Sequence, residues 1–391
     1  MRRTLMGRLL VVVLLLLAVS WSSAAPGSAH TASQPFPADI VARMREVVEG
    51  DMHSLNETGA LVSVSMPGKG TWVAAFGVAN RDTKQPMTTD LTYRIASNTK
   101  SFTCTVLLQL ADERKLSLAD PVSKYVSGAP NGDAITLLQL CHNTSGLADY
   151  TSAIEPKTQA DLGKRYTARQ VLAIAFALPP DFPPGQGWRY SNSNFVLVGQ
   201  IVEKVTGKSI GRNIEQRVLR PLGLSHTGYP GLDRSALPKP HAQGYWVPQA
   251  GAAAVNATNT NPSIAGAAGA MYSTLADQRK WVAALGSGKL LSPASSKLQF
   301  DGVALTPGGP PWLTYGLGAM NLGPLRGHDG EINGFISAMF YDPGTKATFV
   351  VVYNDSTPGG DAALKTAAKL ATVVEPDRLP FTIDTFAAAP K

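Results

Sequence analysis

Apolar residues recur along the chain at two spacings, which divide it into helical and extended segments. Over residues 38–50, Ile40, Val41, Met44, Val47 and Val48 form a helical stripe, and Gly50 is a stop. Residues 60–66 then alternate as a strand does, Pro67 to Gly70 make a turn, and residues 71–77 return. The middle of the chain reads as helical with long loops. A helix opens near Ser97 with Val106, Leu107, Leu108 and Leu110 on its apolar side. Further helices are expected over 136–140, 167–177, 194–204, 209–218 and 274–285. Residues 230–270, rich in Gly, Ala, Pro and Asn, read as an irregular loop over a cleft. Strand character resumes over 315–322, 335–341 and 347–353, and a last helix spans 361–374.

Strands at both ends and helices between them predict an α+β fold. One antiparallel sheet, built from about 36–96 and 300–380, would be flanked by the terminal helices. A mostly helical region, about 97–299, would be inserted. A ligand would lie between sheet and insert. The expected organisation is a signal peptide over 1–29, one domain over 30–385 and a tail over 386–391. Residues 30–37 read as a short structureless leader.

The signal-peptide reading rests on basic Arg2, Arg3 and Arg8, the apolar run from Leu9 to Val19, and the small residues from Ser22 to Ala29. The run is too short for a comfortable membrane span. Cleavage after Ala24 or Ala29 removes three arginines and no acid, so the formal charge falls from +7 to +4. That balance lacks the clustered basic stripe of a nucleic-acid binder. An exported chain with no stable membrane span after processing is expected. Cys104 and Cys141 could pair in an oxidising compartment. The plainer expectation is two separate buried thiols. No Cys/His spacing suits zinc, and no metal or cofactor is expected.

Three short stretches carry chemistry. Ser97 stands three residues before Lys100, so hydroxyl and amine can meet on one helix face, where a serine nucleophile finds its base. Alone, the pair better suits a helix cap and a solvated lysine. Tyr190-Ser191-Asn192 offers a phenol and a carboxamide two residues apart, or simply a turn entering a helix. Gly327-His328-Asp329-Gly330-Glu331 offers a bare backbone beside a histidine, or a surface turn. His142 reads as loop packing, and His226 and His241 as structural or exposed.

In combination and in this order, these stretches resemble the penicillin-recognising serine hydrolases. The similar branch holds class C β-lactamases, secreted D-alanyl-D-alanine carboxypeptidases and related esterases. Supporting flanks are Tyr93 to Ser101, Leu137 to Leu147, Pro184-Gly185 and Pro221-Leu222-Gly223-Leu224, and the likeness covers about residues 36–380. It is greatest to the secreted carboxypeptidases of Gram-positive filamentous bacteria.

The resemblance implies that Ser97 forms an acyl-enzyme and that Lys100 and Tyr190 share the proton traffic. Either of the two could be the acylation base. It implies that Asn192 binds a substrate amide, that His328 shapes the site, and that the Ser97 and Glu331 backbone N–H groups form the oxyanion hole. The acyl group would pass to water or another acceptor. The implied substrate is a peptidoglycan stem peptide, an ester or a β-lactam. An esterase, a β-lactamase, a D-amino-acid amidase or a non-catalytic binder of penicillin or peptidoglycan are the other readings of the scaffold.

One departure bears on the substrate. The similar carboxypeptidases carry His-Thr-Gly-Thr in the third motif, with hydroxyls that help bind a terminal carboxylate. Here those positions are Asp329 and Glu331. At 4 Å and an effective dielectric of 20, each would repel a carboxylate by about 4 kcal/mol before screening. Arg326 is expected to offset part of this if it points into the cleft.

Overall fold

The computed structural model describes residues 34–249, 251–356 and 360–382. The expected signal peptide and tail lie outside the described residues. Residues 34–37 belong to the fold rather than to a structureless leader. Phe36 is buried, and the Gln34 carbonyl accepts from Thr71 N at 2.9 Å.

The sheet combines both ends of the chain, as expected. Strands β1 (Gly59–Met66) and β2 (Gly70–Gly77) form the N-terminal hairpin. From the other end come β3 (Val303–Ala304), β4 (Leu313–Tyr315), β5 (Met320–Leu322), β6 (Leu325–Ile332), β7 (Phe335–Tyr341) and β8 (Thr348–Tyr353). Their order is β2-β1-β8-β7-β6-β5-β4-β3, antiparallel throughout. β1 pairs with β8 from Ala60↔Tyr353 to Ser65↔Thr348, which splices the two ends.

Helices cover both faces of the central strands. Tyr353 stands in the row of Ile336, and its hydroxyl meets Thr366 of the terminal helix Ala362–Val374 at 2.8 Å. Ser337, one residue on in β7, points the other way and receives Asn98 Nδ2 at 2.8 Å from the helical insert. Every residue of β7 and β8 is therefore buried. That double burial explains why these strands read as continuous apolar runs instead of alternating.

Two further sequence expectations change. The single strand expected over 315–322 is two strands, because Gly316 and Gly318 make a turn closed by Gly316 N to Ala319 O at 2.8 Å. Gly318 has φ +65°, and a Cβ there would meet the Lys100 carbonyl at 2.7 Å. The two cysteines are not separate thiols. Cys104 in α1 (Thr99–Asp112) is bonded to Cys141 in α2 (Leu137–His142), with Cα atoms 6.4 Å apart, inside bridging range. Burial of both residues was legible from the sequence, but the approach of the two helices was not.

Candidate active site

The Ser97 turn is shaped by its neighbours. Ser97 lies in a short 3₁₀ turn, Ala96–Asn98, that leads into α1. Ala96 before it has φ +47°, a left-handed conformation uncommon outside glycine. Such a residue costs on the order of 1–3 kcal/mol and needs surrounding support. Here Ile95 N donates to Met271 O at 3.0 Å, and Asn98 Nδ2 bridges Ile95 O and Ser337 Oγ at 2.9 and 2.8 Å.

Lys100 follows one turn later and is fully buried. Its Nζ donates to Ser97 Oγ at 2.8 Å, Asn192 Oδ1 at 2.8 Å and Ala268 O at 2.9 Å. It lies 4.7 Å from the centroid of the Tyr190 ring and 5.2 Å from that of Phe195. Burial outweighs the Asp149 and Asp329 carboxylates and lowers its pKa to about 7. A substantial fraction of Lys100 is therefore neutral near pH 7, as a lysine base requires.

Tyr190 is hydrogen-bonded to Ser97, yet burial pushes its phenol pKa well above the ordinary value. Asn192 opens the helix Asn192–Thr206, which positions its carboxamide beside Lys100. Its Nδ2 donates to Asp149 Oδ2 at 2.9 Å, which leaves one amide hydrogen for another partner. Ala268 comes from the loop expected to lie over the cleft. Trp246, Ile264, Ala265 and Gly269 of that loop do line the cleft, while Ala267, Ala268 and Ala270 are buried behind it, and the Ala267 carbonyl accepts from Thr103 at 2.8 Å.

β6 brings the third motif opposite Ser97. Ile332 and Phe335 flank the two-residue turn Asn333-Gly334, and such a turn is closed by a hydrogen-bonded pair. Backbone groups of 332, 330 and 328 therefore face β7, and those of 331 and 329 face the other edge. β5 pairs with β6 only at Leu325 to Gly327, so that edge carries no paired strand at Asp329 and Glu331. Gly330 packs against the Ser97 turn. A Cβ there would meet Ile95 O at 2.5 Å and Ser97 N at 2.8 Å.

His328 is buried on the insert side. Its Nε2 lies 2.8 Å from Tyr315 Oη, and its Nδ1 contacts the Asp329 carbonyl. Burial lowers its pKa to about 4. Arg326 does not enter the cleft, contrary to expectation. Its Nη1 donates to Gly286 O at 3.1 Å, and its guanidinium lies 4.7 Å from the Phe300 ring centroid. The carbonyl end of the helix Leu275–Gly286 is the better site for that cation.

A cleft of about 970 Å³ opens beside Ser97. Tyr190, Asn192, Asp329, Gly330 and Glu331 line it, with Trp188, Leu313 and Tyr315 as an apolar wall. Glu331 also receives Gly360 N at 3.1 Å. Asp149, absent from the sequence reading, is the added member of the site. Its only sequence signal is a place two residues after the Gly146-Leu147 flank. No group of three or more metal-ligating side chains occurs among the described residues.

The profile of the Beta-lactamase family matches residues 44–373. The chain belongs to that family. Its fold is the β-lactamase/transpeptidase-like one, and its superfamily is one of serine hydrolases. A solved D-stereospecific amidohydrolase from Streptomyces sp. is 32% identical, with a TM-score of 0.76 over 86% of this chain and 98% of that one. A D-amino acid amidase from Ochrobactrum anthropi SV3 is 25% identical, with a TM-score of 0.78 over 87% of this chain and 100% of that one. The putative penicillin-binding protein PbpX of Bacillus subtilis is 30% identical over 62% of this chain and 57% of that protein. Protein flp of Staphylococcus aureus is 32% identical over 49% of this chain, and the match spans 39% of flp.

Proposed function

We propose that the chain is a serine acyl hydrolase that cleaves amide bonds to the carbonyl of D-amino acids, in amides or short peptides without a free carboxylate beside that bond. The observation that carries it is the 2.8 Å contact between a buried Lys100, with pKa about 7, and Ser97. Neutral Lys100 takes the Ser97 proton as Oγ attacks the carbonyl carbon. Tyr190, protonated, is the acid side of the same network: it passes its proton to the leaving amine as the C–N bond breaks and is reprotonated by the one Lys100 took from Ser97. Water then attacks the acyl-enzyme by the reverse route. The Ser97 and Glu331 N–H groups stabilise the oxyanion. Lys100 is thus the acylation base in this reading.

The choice of amide over carboxypeptidase substrate rests on Asp329 and Glu331 in the cleft and on Arg326 outside it. A terminal carboxylate meets repulsion there. The apolar wall suits an uncharged side chain. The D-stereospecific amidohydrolase and the D-amino acid amidase, similar over nearly the whole described chain, support the same class.

Export is part of the proposal. Arg2, Arg3, Arg8 and the Leu9 to Val19 run support it, and the Cys104–Cys141 bond suits an oxidising compartment.

The test compares steady-state turnover of D-phenylalanine amide, its L enantiomer, a D-Ala-D-Ala peptide and that peptide's C-terminal amide. Preference for the D amide is expected. Faster turnover of the D-Ala-D-Ala free acid than of its amide would sink the substrate assignment and favour the carboxypeptidase.

A further inference from the structure

Asn192 sits between an amine and a carboxylate. Its Oδ1 accepts from Lys100 Nζ at 2.8 Å, and its Nδ2 donates to Asp149 Oδ2 at 2.9 Å. The two ends of a carboxamide have nearly the same shape, so partners decide which way it points. A carboxylate can only accept. Asp149 therefore draws Nδ2 to itself and turns Oδ1 toward Lys100.

Asp149 is itself held in place. Its Oδ2 also receives the Asn192 backbone N–H at 3.3 Å, and its Oδ1 receives Thr151 N at 2.9 Å. Flanking residues are tied to the same helix, because Ser193 Oγ donates to Ala148 O at 2.6 Å and Tyr150 N donates to Ser193 Oγ at 3.2 Å. Thr151, Ser152 and Asn192 line the cleft, and Asp149 does not. It acts from behind the site.

We propose that Asp149 is a positioning residue of the reaction: it locks the Asn192 carboxamide so that its oxygen holds Lys100 against Ser97. This rests on the acyl-hydrolase reading above.

A second consequence follows from charge. Four titratable groups surround Lys100. Asp149 and Asp329 raise its pKa, Tyr190 stays a neutral phenol, and His328 stays a neutral imidazole. Removing the Asp149 charge lowers the Lys100 pKa further. The base form then persists to lower pH, so the acid limb of the rate profile moves down.

The experiment follows Ser97 labelling by a fluorophosphonate in the full chain from about pH 5 to about pH 9, a range that brackets the base. Asp149→Asn is expected to lower the midpoint by about one unit. The plateau rate is expected to fall roughly tenfold, the cost of one charged hydrogen bond. Asp149→Glu should restore the midpoint. If Asp149→Asn melts early, Asp149→Ser carries the test, since it removes the charge, keeps an acceptor and predicts the same shift. A midpoint unmoved in a folded, uncharged variant overturns the role of Asp149 alone. A wild type that is never labelled at Ser97 overturns the acyl-hydrolase reading as well, so the two failures are distinguishable.

Discussion

Ser97 Oγ and Lys100 Nζ are 2.8 Å apart on consecutive turns of one chain segment, and the lysine is wholly buried. Its other two hydrogen bonds go to carbonyl oxygens. A lysine so held gives up its proton near neutrality, whereas an arginine does not. Lys100→Arg should therefore reduce the Ser97 labelling rate by about a thousandfold, in the range expected for a lost general base. Active-site titration checks it. Ser97→Ala should abolish labelling.

The pH profile of kcat/KM should rise through about 7, because the lysine must be neutral to act and its pKa is about 7. A profile rising near 4 instead would assign the base to a carboxylate.

His328 predicts an acid limit on stability. Its pKa is about 4 in the fold against an ordinary 6.5. Between those values the unfolded chain binds more protons, so this contribution is lost as pH falls from 6.5 toward 4. The shift corresponds to about 3 kcal/mol. Glu57, whose pKa burial raises to about 8, titrates over part of that window with the opposite sign. The check is therefore the difference between wild type and His328→Gln in thermal unfolding, in which wild type should lose stability relative to the variant as pH falls from 6.5 toward 4. Lys100, also depressed, exerts its effect above about 7 and leaves the window undisturbed.

Gly330→Ala should act on the reaction. The added methyl meets Ile95 O and Ser97 N and must push β6 from the Ser97 turn. Loss of one oxyanion donor costs about 2.7–4 kcal/mol, or roughly a hundredfold or more in kcat. Kinetics on an activated ester would show it.

Asp329→Thr combined with Glu331→Thr should favour carboxylate-ended substrates. Removing two repulsions predicts a gain of tenfold or more in the rate ratio of a D-Ala-D-Ala acid to its amide, well below the ideal Coulomb figure because of screening. Both substrates are assayed side by side.

Much of this was readable from residues. The N-terminal hairpin and the β7–β8 hairpin were legible because Pro67-Gly68 and Pro343-Gly344 punctuate strong apolar runs. The expected Ser97, Lys100, Tyr190 and Asn192 come together because each sits at the entrance to an apolar helix. The Gly316–Gly318 turn was lost among apolar neighbours that pack on both sides. Arg326 was misread because strand position says nothing of which carbonyl lies nearby. Asp149 was invisible for a similar reason. Its importance comes from Asn192, 43 residues away in sequence, through a hydrogen bond that no local pattern encodes.

The splice of β1 to β8 sets the order of events during synthesis. Ala60 pairs at once with Phe76 in the β1–β2 hairpin, but its other edge has no partner until Tyr353 has been made, and Ser337 and Gly330, which brace the Ser97 turn, also come late. Such long-range pairing is slow to form. On the reading of Ser97 as the nucleophile, its site is completed only when the last strands arrive.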